Sequence, residues 1–458
     1  MTGLYTRCVA NVLFPLQERL KHHDTVRVRR ALEASQWWSR TDLEALQLQR
    51  LRALLLRAAR DVPYYRELFQ SIGFDAAQVI GLDALRRLPF LTKALIRNNI
   101  EALKSERAEG LARFNTGGSS GEPLVFFIGR ERVGHDVAAK WRATRWWGVN
   151  IGDPEIVVWG SPIELSAQDR LRHWRDAVMR TELLPAFEMS EARLDEFLAR
   201  IRRRRPRMLF GYPSALSLIG SRAEKTGVRM DDLGIRVAFC TSERLYEHQR
   251  NTIERVFGCP VANGYGARDA GFIAHQCPSG GMHITAEDVI VEIVDGRGQP
   301  VPPGDSGEIV VTHLATGEFP FIRYRTGDVA ALDPSPCRCG RGLPLLKDIQ
   351  GRATDFVVAQ DGTVMHGLAL IYILRDLPEV AAFRIVQESL ELTRVELVPG
   401  PGYGPPIASA IERGLMARLG AGVRIQIEPR DEILPEKSGK YRYVMSRVDV
   451  REGALCAT

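Results

Sequence analysis

Residues 115–123 read Asn-Thr-Gly-Gly-Ser-Ser-Gly-Glu-Pro, and they lie between Phe114 and the apolar run 124–128. Glycines let the backbone take positive φ angles and approach a ligand closely, and successive backbone N–H groups can form an anion-binding concavity. No Gly-Lys-Ser/Thr follows the glycines, and no Gly-x-Gly-x-x-Gly opens a helix, so neither common nucleotide motif is present. The stretch predicts a phosphate-binding loop, with a plain glycine-serine turn as the alternative. The residues that would contact phosphate are Thr116, Gly117, Gly118, Ser119, Ser120 and Gly121.

Four segments downstream of this loop favour the phosphate interpretation. They read Asn-Gly-Tyr-Gly-Ala-Arg-Asp at 263–269, Pro-Phe-Ile-Arg-Tyr-Arg-Thr-Gly-Asp at 320–328, Gly-Arg-Ala-Thr-Asp at 351–355 and Ser-Gly-Lys-Tyr-Arg at 438–442. In this order, together with the loop, they resemble the adenylate-forming superfamily of acyl-CoA synthetases. Within it, the chain resembles the phenylacetate–CoA ligase-like group, on the branch linked to capsular polysaccharide biosynthesis. The resemblance extends over nearly the whole chain.

The resemblance implies an AMP-forming acid–thiol ligase. In that reaction ATP activates a carboxylic acid, aryl or aliphatic, as an acyl-adenylate with release of pyrophosphate, and a thiol, expected to be coenzyme A, accepts the acyl group. Two other interpretations stay open, namely an amine or hydroxyl acceptor and a nucleotide-binding relative without catalysis. The aromatic residues that would line the pocket for the acid, if they are not simply core, are Trp146, Trp147, Tyr212 and Phe239.

The resemblance also assigns nucleotide-binding roles. The loop would hold the β- and γ-phosphates of ATP, and Gly264, Tyr265 and Gly266 would place an aromatic ring and a close backbone against adenine. Asp328 would accept hydrogen bonds from both ribose hydroxyls, with Arg352 supporting the ribose or a phosphate. An isolated Asp after Gly is ordinarily a turn residue, so the ribose role depends on the resemblance.

Asp269 and Lys440 are the expected catalytic residues. Asp269 stands where the family usually has Glu, and it would hold Mg²⁺ near the α-phosphate as a hard oxygen ligand. The alternative for Asp269 is a cap on a following helix. Lys440 would bridge the attacking carboxylate and the α-phosphate, because lysine carries a compact charge on a long stem. The family hinge is often Gly-Arg-x-Asp-Asp, and Thr354 replaces its first Asp here, which leaves the pivot open.

Three cysteines and one histidine predict a structural zinc site. Five residues separate Cys277 from His283, and Cys337 and Cys339 follow within Cys-Arg-Cys-Gly. Thiolates with one imidazole suit tetrahedral Zn²⁺. The alternatives are unrelated buried thiols, or His275 as the fourth ligand. Four protein ligands would leave no open coordination position, so the predicted zinc is structural rather than catalytic.

The fold class predicted from the patterning is α/β. Leucines across 42–60 predict an amphipathic helix, and apolar runs alternating with helical segments predict parallel βαβ units. From about residue 284, strand-like runs separated by Gly and Pro turns predict a β-barrel subdomain. We therefore expect a large N-terminal domain over 1–350, with the β subdomain at about 284–350, and a small mobile α+β domain over 351–458. The resemblance implies that this second domain would bring Lys440 to the nucleotide and then swing away.

Composition limits the other possibilities. At 458 residues the chain is too long for one core, so at least two domains are expected. No apolar run reaches the roughly 18–20 residues that cross a bilayer, and no secretory signal is apparent, so the sequence predicts a cytoplasmic protein without a membrane span. The basic run 200–207 is typical of a solvated helix face, with contact to coenzyme A phosphates as the alternative. No nucleic-acid module accompanies the net charge of +6. A homodimer is compatible with the sequence.

Overall fold

The computed structural model describes residues 3–115, 124–159, 175–186, 189–350, 356–375, 377–433 and 444–448. These residues fall into two compact units. The larger unit holds the described residues up to 350, except Ala186 and residues 189–194. The smaller unit holds those exceptions and the described residues from 356 onward.

Most of residues 4–98 form helices, and later helices connect the strands. A π-helical segment, Val9–Leu13, joins the first two, and two short 3₁₀ segments occur at Ala76–Gln78 and Leu82–Arg87. The α-helices are α1 Leu4–Cys8, α2 Phe14–Leu20, α3 Thr25–Ser35, α4 Arg40–Asp61, α5 Pro63–Ser71, α6 Lys93–Asn98, α7 Arg130–Trp146, α8 Glu191–Arg204, α9 Pro213–Thr226, α10 Glu247–Phe257, α11 Leu368–Arg375 and α12 Pro405–Leu419.

Helix α4 shows how capping and leucine spacing set a helix. The Ser39 hydroxyl accepts a hydrogen bond from the Asp42 amide at 3.1 Å, which satisfies one of the free N–H groups of the first turn. Leucines at helical spacing, including Leu43 and Leu51, are buried on one side. Pro63 opens the next helix, so α4 ends just before it. The amphipathic helix predicted over 42–60 is confirmed.

One sheet of eleven strands runs through the larger unit, with the strand order β10-β11-β12-β13-β9-β8-β7-β6-β5-β3-β4. A separate antiparallel pair, β1 and β2, flanks residues 116–123. The strands of the larger unit are β1 Ala112–Asn115, β2 Val125–Ile128, β3 Glu155–Trp159, β4 Thr181–Pro185, β5 Met208–Gly211, β6 Val237–Thr241, β7 Val261–Ala267, β8 Gly271–Gln276, β9 Met282–Ile284, β10 Val289–Val294, β11 Ser306–His313, β12 Tyr324–Asp333 and β13 Leu345–Gln350.

Strands β3 to β7 form the parallel half of the sheet. Every residue of β5 and β6 is buried, so both faces of the sheet are covered there, which explains why these strands are continuous apolar runs in the sequence. Helices α8, α9 and α10 provide the crossovers between successive parallel strands. The predicted βαβ units are present, and the predicted α/β class is confirmed.

The remaining strands pair antiparallel. Strands β10 to β13 are the segment, at about 284–350, for which the sequence predicted a β-barrel subdomain. In the described residues, its strands continue the parallel half through β8 and β9 as a single sheet. The chain therefore joins both patterns in one hydrogen-bonded layer, and the large hydrophobic core that packs α4 and α5 includes residues of β10, β11 and β12.

The smaller unit is an α+β unit with a four-stranded sheet in the order β18-β17-β16-β19 and a separate hairpin of β14 with β15. Helices α11 and α12 contribute Ile371 and Leu415 to its buried core. Across the described parts of both units, no helix combines the length and apolar character that a bilayer crossing requires. The strands of the smaller unit are β14 Phe356–Val358, β15 Val364–His366, β16 Val380–Gln387, β17 Leu392–Pro399, β18 Arg424–Pro429 and β19 Val444–Ser446.

Candidate active site and metal cluster

The hairpin of β7 and β8 carries Gly264, Tyr265 and Gly266. A Cβ atom on Gly264 would lie 2.7 Å from the ring of Phe239, and one on Gly266 would lie 2.5 Å from the Gly271 carbonyl oxygen. Both positions therefore need glycine for the packing of the protein itself. The register between the strands shifts between Tyr265 and Gly266, and such an irregularity re-aims a side chain.

Tyr265 and Asp328 contact each other although 63 residues separate them. The Tyr265 hydroxyl donates a hydrogen bond to the Asp328 carboxylate at 2.9 Å. The amide of Asp328 donates to the Thr326 hydroxyl at 3.1 Å, which fixes the backbone of the same turn. Because a carboxylate has about four acceptor positions, the tyrosine can orient Asp328 and still leave capacity for a hydroxyl ligand.

Asp269 lies in the turn between β7 and β8, and its carboxylate is buried. Strand β8 begins at Gly271, so the alternative in which Asp269 caps a following helix is wrong. The buried hydroxyl of Tyr324 donates to the Asp269 carboxylate at 2.5 Å. Tyr324 belongs to the 320–328 segment, and no role was predicted for it from the sequence. Its position beside the predicted ribose-binding Asp was the available signal.

The two arginines of the 320–328 segment make internal ion pairs. Arg323 contacts the carboxylate of Glu292 at 2.9 and 3.0 Å and donates to the Leu88 carbonyl at 2.7 Å. Arg325 pairs with Glu308 through Nε at 2.9 Å. These contacts hold the segment that carries Tyr324 and Asp328.

Arg132 on helix α7 contacts the turn that carries Asp269, and no role was predicted for it from the sequence. Its guanidinium is buried, donates to the Arg268 carbonyl at 2.8 Å and lies over the ring of Phe321. It also contacts Asp136 at 3.3 Å. Burial opposes ionisation of Asp136, but Arg132 and His313 still lower the pKa of that carboxyl. Arg132 is therefore a positioning residue for the turn.

The predicted phosphate-binding residues, the predicted ribose-supporting Arg352 and the predicted catalytic Lys440 lie outside the described residues, as does the hinge segment 351–355. The structure does describe where the phosphate-binding loop begins. Asn115 ends β1, and its carbonyl accepts a hydrogen bond from Arg268 at 3.2 Å. The chain therefore enters the loop next to the turn that carries Asp269.

Cys277, His283, Cys337 and Cys339 come together, with all four donor atoms within 4.8 Å of one another. The sulfurs of Cys277 and Cys337 are 3.6 Å apart, and the His283 Nε2 is 3.1 Å from the Cys339 sulfur. Tetrahedral zinc with Zn–S bonds of about 2.3 Å places two sulfurs about 3.8 Å apart, so the spacing fits zinc. It is far too long for a disulfide bond. The donor set and its geometry both suit zinc.

The tautomer of His283 also suits a metal ligand. Its Nδ1 lies 3.4 Å from the Leu343 carbonyl, which leaves Nε2 on the side of the cysteines. Burial lowers the pKa of His283 to about 4, so the ring is neutral and can bind metal. Burial raises the pKa of Cys277 to about 11, and a bound dication would bring that pKa down again.

His275 does not belong to the cluster, although it is the direct cross-strand partner of His283. Its ring packs at 5.4 Å from Phe272 and 5.9 Å from Phe239, and burial lowers its pKa to about 3. Of the two histidines that the sequence left open, the geometry selects His283 as the fourth donor.

The loop that carries two of the cysteines is fastened to the N-terminal helices. Arg341 lies over the rings of Trp37 and Trp146, at 4.8 and 4.5 Å, and donates to the Gln36 side chain at 3.0 Å. Trp146 donates to the same Gln36 oxygen at 2.8 Å. A metal in the cluster would thus tie the β8–β9 hairpin, the β12–β13 connection and helix α7 together.

The aromatic residues predicted for the acid pocket and the arginines of the basic run 200–207 contact other residues of the protein. Trp147 donates from its ring nitrogen to the Gln276 carbonyl at 3.0 Å, and Phe239 stacks on Phe210 at 5.7 Å. In the basic run, Arg200 pairs with Glu182 at 2.8 Å. These contacts support the core interpretation of the aromatics and the helix-face interpretation of the arginines.

Two family models and several known proteins are similar to this chain. Residues 183–316 match the profile of the AMP-binding enzyme family, and residues 357–447 match the CapK C-terminal domain. The chain is 22% identical to Protein CapK of Staphylococcus aureus, over 94% of each chain. It is 27% identical to phenylacetate-coenzyme A ligase of Thermus thermophilus, over 74% of this chain and 77% of the relative.

The fold also resembles a solved structure of 2-hydroxyisobutyryl-CoA ligase, in complex with 2-HIB-AMP and CoA in the thioesterification state. The TM-score is 0.66, the sequence identity is 20%, and the similarity covers 92% of this chain and 93% of that one. At this identity the likeness concerns the fold. The two family matches, the full-length relative and the fold together support the predicted resemblance to the adenylate-forming superfamily, to its phenylacetate–CoA ligase-like group and to the capsular branch of that group.

Proposed function

We propose that the protein uses ATP to activate a carboxylic acid and then transfers the acyl group to the thiol of coenzyme A. In the first step a carboxylate oxygen attacks the α-phosphorus, the bond to the β-phosphate breaks, and pyrophosphate leaves. In the second step the thiolate attacks the acyl carbon, the acyl–phosphate bond breaks, and AMP leaves. The observation that carries the proposal is that Tyr265 pairs with Asp328 while Tyr324 pairs with Asp269, so two predicted site segments contact each other twice.

The residues of the site have separate roles in this proposal. Asp328, oriented by Tyr265, binds the ribose hydroxyls. Asp269 would hold Mg²⁺, which supplies positive charge next to the α-phosphate. The aspartate side chain is one methylene shorter than the glutamate usual at this position, and its hydrogen bond from Tyr324 fixes the direction in which it reaches. Lys440 and Arg352 stay predictions in the roles that the resemblance gives them.

We also propose that the four-donor cluster holds a structural Zn²⁺. The three thiols and one imidazole match the ligand types and the tetrahedral spacing of such sites. Four protein ligands fill the coordination sphere, so the ion would take no part in acyl transfer. The ion would hold the β8–β9 hairpin, whose first strand begins at Gly271, directly after the turn that carries Asp269.

Pyrophosphate exchange with labelled ATP, across a panel of aryl and aliphatic acids, tests the first step. At least one acid should support exchange, and coenzyme A should then yield a thioester where amines and alcohols do not. Lys440→Ala should abolish exchange and largely preserve thioester formation from supplied acyl-adenylate, with Lys437→Ala as the matched control. A protein that binds no ATP would refute the ligase proposal, and acyl transfer to amines alone would refute the thiol acceptor.

A further inference from the structure

The helical residues 4–20 form one continuous rod of seventeen residues, which consists of α1, the π segment and α2. One side of this rod packs against the rest of the larger unit. Thr6 donates to the Asp153 carboxylate at 3.1 Å, and Val9 is fully buried. A Cβ atom on Gly152 would lie 2.6 Å from the Val9 side chain, so the rod is packed tightly against the body. Phe14 and Glu18 continue the buried side.

The opposite side of the rod is an exposed apolar row. Leu4, Val12, Leu16 and Leu20 are 85%, 56%, 54% and 74% exposed, and with the exposed Cys8 they recur at every fourth position from 4 to 20. Other apolar side chains are also exposed among the described residues, but these five side chains form a row along one helical rod. We call it the N-terminal apolar row.

The π segment explains why this row stays on one side. In an α-helix four residues overshoot a full turn by about 40°, so a row with a spacing of four would wind around the rod. The amide of Phe14 donates to the Val9 carbonyl, a bond across five residues that fits more residues into the turn. The buried side shows the same correction, since it steps from Val9 to Phe14. The exposed row is therefore straight enough to meet a flat surface.

The exposed charged side chains of the rod itself are both positive. Arg7 and Arg19 are exposed neighbours of Cys8 and Leu20, and Lys21 follows the rod. The one acidic residue between positions 3 and 21 is Glu18, which is 3% exposed and accepts a hydrogen bond from the Thr25 hydroxyl. The rod thus presents leucines and valine flanked by cations.

We propose that the N-terminal apolar row docks this protein onto the surface of an anionic lipid bilayer. A helix lying in the interface inserts an apolar side, while arginines at its edge attract acidic headgroups. A rod of seventeen residues is about 25 Å long, which suits lying on a bilayer rather than crossing it. A second copy of the chain is a poorer occupant, because symmetric pairing through this row would bring arginines together without exposed acidic partners on the rod.

Flotation of the purified full chain with lipid vesicles tests the proposal. The protein should float with vesicles of phosphatidylcholine mixed with phosphatidylglycerol, and much less with phosphatidylcholine alone. Raising the salt from about 0.1 M to 1 M should weaken binding, because the screening length falls from about 10 Å to 3 Å. The triple variant V12S/L16S/L20S should lose at least about tenfold in partitioning, since burying one such side chain fully is already worth about tenfold.

Two controls keep the result unambiguous. Ile80→Ser removes an 87% exposed apolar side chain far along the chain from the row and should bind like wild type. Leu20→Ser serves as a milder variant if the triple variant unfolds, as judged by its circular dichroism melt. Arg7→Gln with Arg19→Gln should bind anionic vesicles less and lose part of the salt dependence. Equal flotation of wild type and the row variants overturns the proposal. So does a concentration-dependent dimer that the row variants abolish, because a second copy would then be the occupant.

Discussion

The hydrogen bond from Tyr324 to Asp269 gives the most direct test of the proposed magnesium site. Tyr324→Phe removes one oxygen atom from a fully buried side chain and leaves its ring packing with Phe321 in place. Asp269 would lose the donor that lies 2.5 Å from its carboxylate. The carboxylate could then rotate, and a rotated ligand binds Mg²⁺ less well.

The size of the effect follows from the kind of bond. A hydrogen bond to a charged group is worth about 1.5–3 kcal/mol, and about 1.36 kcal/mol corresponds to a factor of ten in rate. If the whole bond acts through the position of Asp269, kcat/KM for pyrophosphate exchange should fall by about ten- to a hundredfold at limiting Mg²⁺. Saturating Mg²⁺ should restore part of that loss, because the variant still carries the carboxylate.

The assay is pyrophosphate exchange measured over a series of Mg²⁺ concentrations, with the unfolding free energy measured alongside. Tyr65→Phe is the matched control, because it removes the same atom from a buried tyrosine whose hydroxyl is 3.5 Å from the Pro320 carbonyl. A Tyr324→Phe enzyme with the Mg²⁺ requirement of wild type, and only the stability loss of the control, would refute the reasoning.

Three further outcomes are expected. Cys339→Ser should reduce bound zinc from about one per chain toward none, as measured by elemental analysis, while His275→Ala should keep it; equal zinc in both variants would contradict the assignment. Glu287→Ala should lower the free energy of unfolding, measured in urea, by about 3–5 kcal/mol. The reason is that the buried Arg142 guanidinium, which lies 2.7 Å from Glu287, would lose its carboxylate partner. A loss of only about 1 kcal/mol, as for a surface ion pair, would argue against this reasoning. Although burial opposes it, neighbouring histidine and arginine side chains hold the pKa of Asp288 far below its usual range. The stability from this group should therefore be present above the ordinary carboxyl pKa and be lost as the pH falls below it, and Asp288→Asn should flatten the acid side of a stability–pH profile.

The sequence alone was enough to predict the chemistry of this protein. The glycine-serine stretch, the ordered segments that follow it and the cysteine spacing consist of neighbouring residues, so they can be recognised without knowledge of the fold. Likewise, the alternation of apolar runs with helical spacing depends on local periodicity and predicted the α/β class. The leucines of α4 carried enough periodicity to place that helix nearly to the residue.

The tertiary structure decided which of these residues meet. Along the chain, 63 residues separate Tyr265 from Asp328, and 55 residues separate Asp269 from Tyr324. Each pair forms because β7, β8 and β12 belong to one folded unit. No local pattern encodes such a pairing. The choice of His283 over its cross-strand partner as the fourth metal donor has the same origin. Strand register and side-chain packing are settled by contacts between distant parts of the chain, so they exist only once the sheet has formed.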